Sequence, residues 1–563
     1  MATTTVTGYL LDRLAELGVR HLFGVPGDYN LQLLDEVVAH PAIEWVGTAN
    51  ELGAAYAADG YARMRGIGAL LTTSGVGELS ALNGLAGSYA ELLPVVHITG
   101  SPKSAFERTG ASVHHTAADG DYERFARAAE SVSCALATLT PENAAGEIDR
   151  VLLAALRERR PVYLRIPADV ATAPIDSAEG ALVVAEPEVD EDALQGFLRH
   201  AQVVLGRART AVVLADHLVD RYGAQHELDL LLAESNLPYA DLAMGKGLVD
   251  ESDPRFAGTY FGAFSRPGTR EAVESADVLI QAGVRFTDTT SGFFSQQIDA
   301  TRVIDLQPEA AKVGSALYAG VPLKAALAGL AKLFVDLPPF AVEAPVAGDA
   351  RAAADAPTLS ATARTSSADG LLSQDELWSH VTTFLRGDHF VVADQGTAFF
   401  GMSGQPLPAG AGFIGQPLWG SIGYALPALL GAQLADDRRR GILLTGDSAA
   451  QMTVQELGSM VRYGVSPIVV LVNNQGYTIE RAINGPRAAY NDIAPWNWHT
   501  VAAAMTADQA LLLTARTALE LDEALAEADA APDRLVFLEV HTGIDDIPPL
   551  LARIAAAAGG RAA

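Results

Sequence analysis

The sequence predicts an α/β protein made of three doubly wound domains with parallel sheets. Short apolar runs alternate with amphipathic segments along most of the chain, which is typical of buried parallel strands joined by helices. The length of 563 residues allows about three to five domains of ~100–200 residues each. The alternation falls into three blocks, which we place at 1–185, 186–342 and 370–563.

Each block contains apolar runs that predict strands. In the first block they are Arg20–Val25, Ile43–Thr48, Gly68–Thr73, Val95–Thr99 and Val162–Ile166, with helices expected at 50–63 and 78–92. In the second block they are Thr210–Ala215, Val278–Ala282 and Arg302–Asp305. The segment 343–369 is rich in Ala, Ser, Thr, Pro and Gly, which predicts a surface linker. The third block has strands predicted at Phe390–Ala393, Arg440–Thr445, Ile468–Asn473 and Val536–Val540.

Composition excludes several classes of function. The chain has 39 Lys and Arg against 68 Asp and Glu, and a net charge of −29 argues against a nucleic-acid partner. No run approaches the ~18 apolar residues of a membrane helix, and the first residues do not resemble a secretion signal. The one cysteine, Cys134, lies among small apolar neighbours, which indicates packing and a reducing compartment. We therefore expect a cytoplasmic protein.

Two polar residues at strand ends form the sharpest local signal. Asp447 follows the strand 440–445, and Asn474 lies 27 residues later at the end of the next strand. One β-α-β crossover, through a helix predicted at 454–463, would bring both to the carboxyl edge of one sheet. Carboxylate and amide oxygens suit Mg²⁺, which completes its shell with water and phosphate. The alternative is that both are ordinary turn residues.

A glycine-rich turn in the first block is close to a dinucleotide-binding fingerprint. Gly75-Val76-Gly77, with Ser80, follows a predicted strand and opens a helix. The acidic residue expected at the end of the next strand is missing, because 95–99 is followed by Gly100-Ser101-Pro102. The sequence therefore does not favour a nicotinamide site.

Acids and histidines in three loops are candidates for proton transfer. Asp28 lies in a tight turn after a strand, where a helix cap is the alternative. Glu51 begins a helix rich in small residues and is either a partner of the helix dipole or a buried proton carrier. His114 and His115 are adjacent on a loop, and no third ligand at metal spacing lies near them, which argues against zinc. Glu480 lies in the first turn of a helix after Asn474, where a surface role is the alternative.

A series of motifs along nearly the whole chain resembles one enzyme family. The segments GVPGDYN, ANELGAAYAADGYAR, GVGELSALNG, HHT, MGKG, FIGQPLWGSIGY, GYTIERAI and YNDI occur in that order. Together they resemble the thiamine diphosphate-dependent 2-oxo acid decarboxylases, and the tandem histidines separate this branch from the carboligases and oxidases. The resemblance implies pyrimidine-binding, middle and diphosphate-binding domains. It also implies active sites shared between two subunits, in a homodimer that commonly forms a homotetramer.

The resemblance also implies the cofactor and its ligands, residue by residue. Mg²⁺ would be held by Asp447, Asn474 and the Gly476 carbonyl group. Thiamine diphosphate would contact Glu51 through its pyrimidine, the Gly420 carbonyl group, Ile422 as an apolar wedge, Thr397, Ser448, Ala449 and Ile479. Asp28, Glu51, His114, His115 and Glu480 would be the catalytic groups. The family has Gly and a hydroxyl residue where this chain has Ser448 and Ala449, so we expect binding to persist with an altered affinity.

The substrate pocket is less sharply defined by the resemblance. Gln395, Phe399 and Phe400 match the branch that takes aromatic or branched-chain 2-oxo acids, and Ala558 indicates room, whereas Ile479 and Ile483 match the pyruvate branch. Ile554 lies where a bulky residue can cap a small substrate. We expect a broad decarboxylase of indolepyruvate, phenylpyruvate or 4-methyl-2-oxopentanoate. Pyruvate decarboxylase, a carboligase of the acetolactate synthase type and a catalytically inert cofactor-binding protein are the alternatives.

Overall fold

The computed structural model describes residues 3–176, 180–340 and 371–559, with side chains up to residue 556 in the last helix. These residues form three large sheets flanked by helices, one in each predicted block, which confirms the predicted α/β class. The predicted linker, 343–369, lies outside the described residues, and the domain boundaries stay predictions. No helix in the described ranges has the length and apolar character needed to cross a bilayer.

The first domain contains a six-stranded parallel sheet. The domain as a whole has eight strands in the described residues, which are β1 (Thr3–Thr5), β2 (His21–Gly24), β3 (Glu44–Gly47), β4 (Gly68–Thr73), β5 (Val95–Ser101), β6 (Ala135–Thr138), β7 (Val162–Pro167) and β8 (Pro174–Asp176). Its helices are α1 (Val6–Glu16), α2 (Leu31–Ala39), α3 (Glu51–Arg65), α4 (Val76–Ala90), α5 (Ser104–Thr109), α6 (Arg124–Glu130) and α7 (Ala144–Glu158). The sheet order is β3-β2-β4-β5-β7-β6, and β1 pairs with β8 in a separate antiparallel ribbon.

The middle domain has a mixed sheet rather than a purely parallel one. Its strands are β9 (Ala211–Ala215), β10 (Tyr239–Asp241), β11 (Phe256–Thr259), β12 (Val278–Ala282), β13 (Val303–Leu306), β14 (Ala310–Val313) and β15 (Ala316–Ala319). Its α-helices are α8 (Glu191–Leu205), α9 (Leu218–Arg221), α10 (Gln225–Ser235), α11 (Pro267–Ser275) and α12 (Leu323–Asp336). In the order β11-β10-β9-β12-β13-β14-β15, the last two strands run antiparallel to their neighbours. A short turn at Gly314, with φ of +57°, permits this hairpin.

The third domain repeats the strand order of the first. Its strands are β16 (His389–Ala393), β17 (Gly412–Ile414), β18 (Arg440–Gly446), β19 (Ile468–Asn473), β20 (Leu511–Ala515) and β21 (Val536–His541). Its α-helices are α13 (Gln374–Phe384), α14 (Thr397–Ser403), α15 (Ala425–Ala435), α16 (Asp447–Thr453), α17 (Glu456–Arg462), α18 (Thr478–Ile483), α19 (Trp498–Met505), α20 (Ala518–Asp529) and α21 (Pro549–Gly559). The all-parallel order β17-β16-β18-β19-β21-β20 matches β3-β2-β4-β5-β7-β6 position for position. The first and third domains therefore share a topology, which the sequence only suggested.

The start of the helix predicted at 454–463 is wrong. The chain turns helical at Asp447 itself, and two helices, α16 and α17, follow one another with a break at Val454 and Gln455. The polar pair Asp447-Ser448 obscured the first helix, because its opening turn shows no apolar periodicity. The consequence is that Asp447 lies at a strand-to-helix junction, where its side chain faces the sheet edge.

A close helix crossing joins the first and third domains. Helix α3 carries small residues on several faces, as the sequence indicated, and it packs against α15, which is apolar and almost wholly buried. A Cβ on Gly431 would lie 1.8 Å from the Ala57 carbonyl oxygen, and a Cβ on Gly60 would lie 2.1 Å from that of Ala428. Only glycine permits such an approach of two backbones. The crossing sets the relative position of the loops that both domains carry at their sheet edges.

Candidate active site

Three oxygen-bearing groups converge at the carboxyl edge of the third domain's sheet. Asp447 directly follows β18 and is 1 % exposed, and burial raises the pKa of its carboxyl group to about 6. Asn474 follows β19 and is 3 % exposed. One amide atom of Asn474 lies 3.2 Å from Asp447 Oδ1 and 3.1 Å from the Gly476 carbonyl oxygen. The structure thus brings the three predicted cation ligands together.

A strained turn after β19 positions Gly476. Gln475 and Gly476 both have positive φ, at +59° and +127°, and a Cβ on Gly476 would lie 2.2 Å from the Asn491 carbonyl oxygen. The Gly476 N–H donates to Asp447 Oδ2 at 3.2 Å, and the Ser448 N–H donates to Asp447 Oδ1 at 2.7 Å. Backbone conformations of this kind cost energy and concentrate at functional sites. The turn therefore holds the Asp447 carboxylate in one orientation.

The spacing of these oxygens fits a hard divalent cation. Mg²⁺ binds oxygens at about 2.0–2.1 Å in an octahedron, which places neighbouring ligand oxygens about 3 Å apart. The separations of 3.2 and 3.1 Å meet this requirement when the Asn474 amide oxygen faces Asp447 and Gly476. With the amide turned over, its nitrogen would instead donate to both oxygens.

Glycines leave open space beside this edge. A Cβ built on Gly396 or on Gly446 would meet no atom within 4 Å, and one on Gly420 would meet only Gln395 Cγ at 4.0 Å. Thr397, which begins α14, is buried at this edge. Ser448 is half-buried and Ala449 is buried at the start of α16, so of the two side chains it is that of Ser448 that reaches the surface. At these glycines a ligand can therefore approach the backbone closely.

A buried acid that the sequence reasoning missed supports the loop that carries Gly420 and Ile422. Asp394 directly follows β16, is 1 % exposed and accepts hydrogen bonds from the Gly423 N–H at 3.2 Å and from the Thr445 hydroxyl at 3.1 Å. Burial raises the pKa of Asp394 to about 7. The available signal was an acid directly after an apolar strand, at the same kind of position as Asp447.

The first domain also contacts this loop. The Tyr56 hydroxyl and the Ser421 hydroxyl lie 2.6 Å apart, and Asn83 Nδ2 donates to both, at 2.9 and 3.2 Å. Trp419 Nε1 donates to Asn83 Oδ1 at 3.1 Å. Four polar groups from two domains therefore fix the segment just before Ile422. Sequence patterns had no signal for this network, because its members are far apart in the chain.

The first domain's sheet edge brings together Asp28, His114 and His115. His114 Nε2 lies 2.5 Å from Asp28 Oδ2, and His115 Nδ1 lies 4.0 Å from Asp28 Oδ1. The Tyr29 ring stacks on His114 at 4.9 Å between centroids, and burial raises the pKa of Tyr29 to about 12. The helix-cap interpretation of Asp28 is wrong, because Asn30 caps α2 by position and its side chain braces the turn through Gly27 and Val25.

The tandem histidines do have a third ligating group nearby, contrary to the sequence reasoning. The ligating atoms of Asp28, His114 and His115 all lie within 4.8 Å of one another. Asp28 comes from the loop after another strand, so spacing along the chain did not reveal it.

Glu51 and the Gly75 turn lie beside this group. Glu51 begins α3, where Asn50 caps the helix by accepting from the Gly53 N–H at 2.7 Å. Glu51 is half-buried, and its Oε1 would lie 3.1 Å from a Cβ on Gly77. Gly75, with φ of +69°, would place a Cβ 2.1 Å from the His115 carbonyl oxygen. The glycines that resembled a dinucleotide motif thus allow Glu51 and His115 to approach the backbone.

The two groups of residues remain separate within one chain. In the described parts of the chain, no hydrogen bond or ion pair joins Asp28, Glu51 or the histidines to Asp447, Asn474 or Glu480. The side chains of Asp28 and His114 are 46 % and 60 % exposed, and Glu480, in the first turn of α18, is also exposed. Each half of the predicted site therefore has side chains at the surface, whereas Asp447 and Asn474 themselves are buried.

The predicted pocket residues lie in different surroundings. Phe399 and Phe400 are buried in the core of the third domain, and Ile554 is buried on α21. Ile479 is partly buried, Ile483 is 39 % exposed, and Gln395 Oε1 is buried without a hydrogen-bond partner. Ala558 lies in α21, but its side chain is outside the described residues. Their assignment to a substrate pocket stays a prediction.

Comparison with known proteins gives matches along nearly the whole chain. Models of the N-terminal, central and C-terminal domains of thiamine pyrophosphate (thiamine diphosphate) enzymes match residues 4–122, 198–333 and 399–540. The alpha-keto-acid decarboxylase of Mycolicibacterium paratuberculosis is 48 % identical over 554 residues, covering 98 % of this chain and 96 % of the relative. That of Mycobacterium tuberculosis is 47 % identical with the same coverage. That of Mycobacterium leprae is 48 % identical over 550 residues, covering 98 % of this chain and 95 % of the relative.

Proposed function

The chain belongs to the thiamine diphosphate-dependent 2-oxo acid decarboxylases, and from this premise we propose that it releases CO₂ and an aldehyde from a medium-to-large 2-oxo acid, with Mg²⁺ at its cofactor site. The decarboxylation and the thiamine diphosphate follow from the family. The cation, the residue roles and the substrate preference are the proposal. The observation that carries it is the convergence of the Asp447, Asn474 and Gly476 side-chain and carbonyl groups beside glycines that leave open space.

Residues of the first and third domains would hold the cofactor. Asp447, Asn474 and the Gly476 carbonyl group would bind Mg²⁺, which would neutralise the diphosphate, and Ser448 and Ala449 would line the diphosphate end. Ile422 and Ile479 would contact its apolar faces, and Thr397 and the Gly420 carbonyl group would line the cleft between them. Glu51 would receive the pyrimidine. When bound, thiamine diphosphate supplies the electron sink that accepts the electron pair left as CO₂ departs.

The chain's own contribution would be proton handling at the cofactor. The overall reaction converts a 2-oxo acid anion and one proton into an aldehyde and CO₂. Glu51 would hold a proton against the pyrimidine, because its carboxylate is half-buried at the start of α3. Asp28 and His115, with Glu480, would deliver the proton to the carbon that has lost CO₂. His114 and Tyr29 would orient Asp28 through the 2.5 Å contact and the stacked ring.

The substrate preference is for aromatic or branched-chain 2-oxo acids, with indolepyruvate, phenylpyruvate and 4-methyl-2-oxopentanoate as candidates. Gln395, Phe399 and Phe400 support it through the family resemblance. Ile479 and Ile483 support the second candidate, pyruvate decarboxylase. One methylene group changes such a preference by only ~1–3 kcal/mol, so a substrate panel has to decide. A carboligase of the acetolactate synthase type would give acyloins instead of aldehydes in the same panel.

A second subunit would complete each active site, in a homodimer that can pair into a homotetramer. The exposed side chains of Asp28 and His114 support this arrangement, because a partner could place its third domain over the first domain's edge. Exposed apolar side chains near that edge also support it, since Leu31, Val76 and Leu79 are 47 %, 54 % and 42 % exposed. The cytoplasmic location stays a prediction from the cysteine usage.

The test is a substrate panel with the wild type, Glu51→Gln and the control Glu44→Gln. Glu44 lies at the opposite end of β3 and its side chain is 68 % exposed. Aldehyde would be measured by coupling to an alcohol dehydrogenase in the presence of thiamine diphosphate and Mg²⁺. We expect Glu51→Gln to lose nearly all turnover with every acid and Glu44→Gln to match the wild type. Robust aldehyde formation by Glu51→Gln would contradict the proposed role of Glu51.

A further inference from the structure

Thr478 connects the proposed cation site to the segment before the last helix. Its hydroxyl group donates to the Ile544 carbonyl oxygen at 3.1 Å, and the hydroxyl oxygen Oγ1 itself lies 3.1 Å from the side-chain amide of Asn474. Its N–H donates to the Gly476 carbonyl oxygen at 3.0 Å. Thr478 is only 2 % exposed, so water does not substitute for these partners. The residue touches two of the three proposed cation ligands.

The single hydroxyl proton of Thr478 makes the orientation of the Asn474 amide a choice between two states. If the proton goes to Ile544, the hydroxyl oxygen can only accept, so the Asn474 nitrogen must face Thr478 and the amide oxygen must face Asp447 and Gly476. If the amide turns over, its oxygen needs the hydroxyl proton and the Ile544 carbonyl group loses its donor. In the first state, three oxygens face the cation position. In the second state, the Asn474 nitrogen donates to Asp447 Oδ1 and to the Gly476 carbonyl oxygen, so these two oxygens are already hydrogen-bonded.

We propose that Thr478 is a positioning residue that sets the Asn474 amide oxygen toward the cation and thereby couples cation binding to the docking of the segment around Ile544. A cation stabilises the first state because its positive charge offsets the repulsion between the three oxygens that face one another. The Ile544 carbonyl group gains its hydrogen bond in that same state. Since Ile544 precedes α21, which packs against α18, loading the cation site also holds the C-terminal helix near the cleft. This inference rests on the proposed cation site.

The experiment compares cation binding by the wild type, Thr478→Val, Thr478→Ser and the control Thr506→Val. Valine keeps the shape and removes the hydroxyl group, and serine keeps the hydroxyl group. Thr506 is equally buried, and its hydroxyl group also donates to a backbone carbonyl oxygen, that of Ala502 at 2.7 Å, but it lies at the end of α19 and away from the proposed ligands. Mn²⁺ replaces Mg²⁺ as the probe, and free Mn²⁺ is followed by electron paramagnetic resonance at saturating thiamine diphosphate.

We expect Thr478→Val to bind Mn²⁺ about 10–100-fold more weakly, the range seen when outer-shell partners of metal ligands are removed. Thr478→Ser should stay within about threefold of the wild type and Thr506→Val should equal it. In hydrogen–deuterium exchange, Mn²⁺ should slow exchange in peptides spanning Ile544 in the wild type and not in Thr478→Val.

Wild-type Mn²⁺ affinity in Thr478→Val would overturn this inference and leave the proposed function intact. Absence of Mn²⁺ binding by the wild type would overturn the proposed cation site, and the inference with it. If Thr478→Val does not fold, Thr478→Ala, which also lacks the hydroxyl group and adds no bulk, takes its place in the same comparison.

Discussion

A methyl group at the crossing of α3 and α15 should separate the first and third domains. In Gly431→Ala the new Cβ would lie 1.8 Å from the Ala57 carbonyl oxygen, 2.6 Å from its carbonyl carbon and 3.0 Å from its Cα. All three are backbone atoms, so no side chain can rotate away. One helix must therefore move by roughly 1–2 Å to reach ordinary van der Waals separation.

The cost follows from two opposing terms. Overpacking a close-packed contact costs about 1–3 kcal/mol and sometimes more, and a gap of about 1 Å along the rest of the crossing forfeits up to half of the dispersion energy there. Replacing glycine by alanine inside a helix returns about 1 kcal/mol. Because the crossing is reciprocal, with Gly60 against Ala428, movement disturbs both contacts. We expect a net loss of more than about 2 kcal/mol in the free energy of unfolding.

The matched control is Gly146→Ala in helix α7. Gly146 is also a helical glycine, but a Cβ there would meet nothing within 4 Å, so only the propensity gain of up to about 1 kcal/mol remains. Urea unfolding followed by circular dichroism measures both variants. Equal stability of Gly431→Ala and Gly146→Ala would refute the argument that backbone contact, rather than glycine flexibility, determines this position.

Three further predictions concern the site itself. Burial raises the pKa of Asp394 to about 7, so the folded protein keeps a proton that the unfolded chain releases near pH 4. The free energy of unfolding should therefore fall by a few kcal/mol between about pH 4 and 7. Asp394→Asn should make this slope shallower in urea titrations, and the part that remains should include Asp447, whose pKa is raised to about 6; an unchanged slope would contradict the role of Asp394. Asn83→Ala removes donors to Tyr56 and Ser421, so the affinity for thiamine diphosphate, measured by tryptophan fluorescence, should fall roughly 5–10-fold; unchanged affinity would show that the network does not position the loop. Chelation with EDTA should abolish aldehyde formation, Mg²⁺ should restore it in the wild type, and restoration in Asp447→Ala would count against Asp447 as a ligand.

Sequence patterns predicted the regular elements of the fold well. The strands Gly68–Thr73, Val278–Ala282 and Ile468–Asn473 are confirmed residue for residue, because a buried parallel strand is an unbroken apolar run with polar ends. The edge strand Ala135–Thr138 and the hairpin Ala310–Ala319 were missed, since half-buried strands mix apolar and polar residues.

Some residues of the candidate site were predictable from local sequence patterns and others were not. Asp447 and Asn474 were predictable because each ends a strand of one βαβ unit, and the topology of such units leaves little freedom. Asp394 was missed although it obeys the same rule, because the loop that it supports returns to it only after 29 residues. The Tyr56–Asn83–Ser421 network had no signal, since Ser421 lies 365 residues from Tyr56.

From sequence alone, the chain's class, its three sheets, its family and most of the acids and histidines of the candidate site were predictable. The third group beside the tandem histidines, the break between α16 and α17, and the position of the Asn474 amide between Asp447, Gly476 and Thr478 emerged only from the folded chain. Periodicity is a local property that each segment carries by itself. Contacts between distant segments depend on how closely helices and sheets pack. At the crossing of α3 and α15, the distance between the two helices is short because Gly60 and Gly431 have no Cβ.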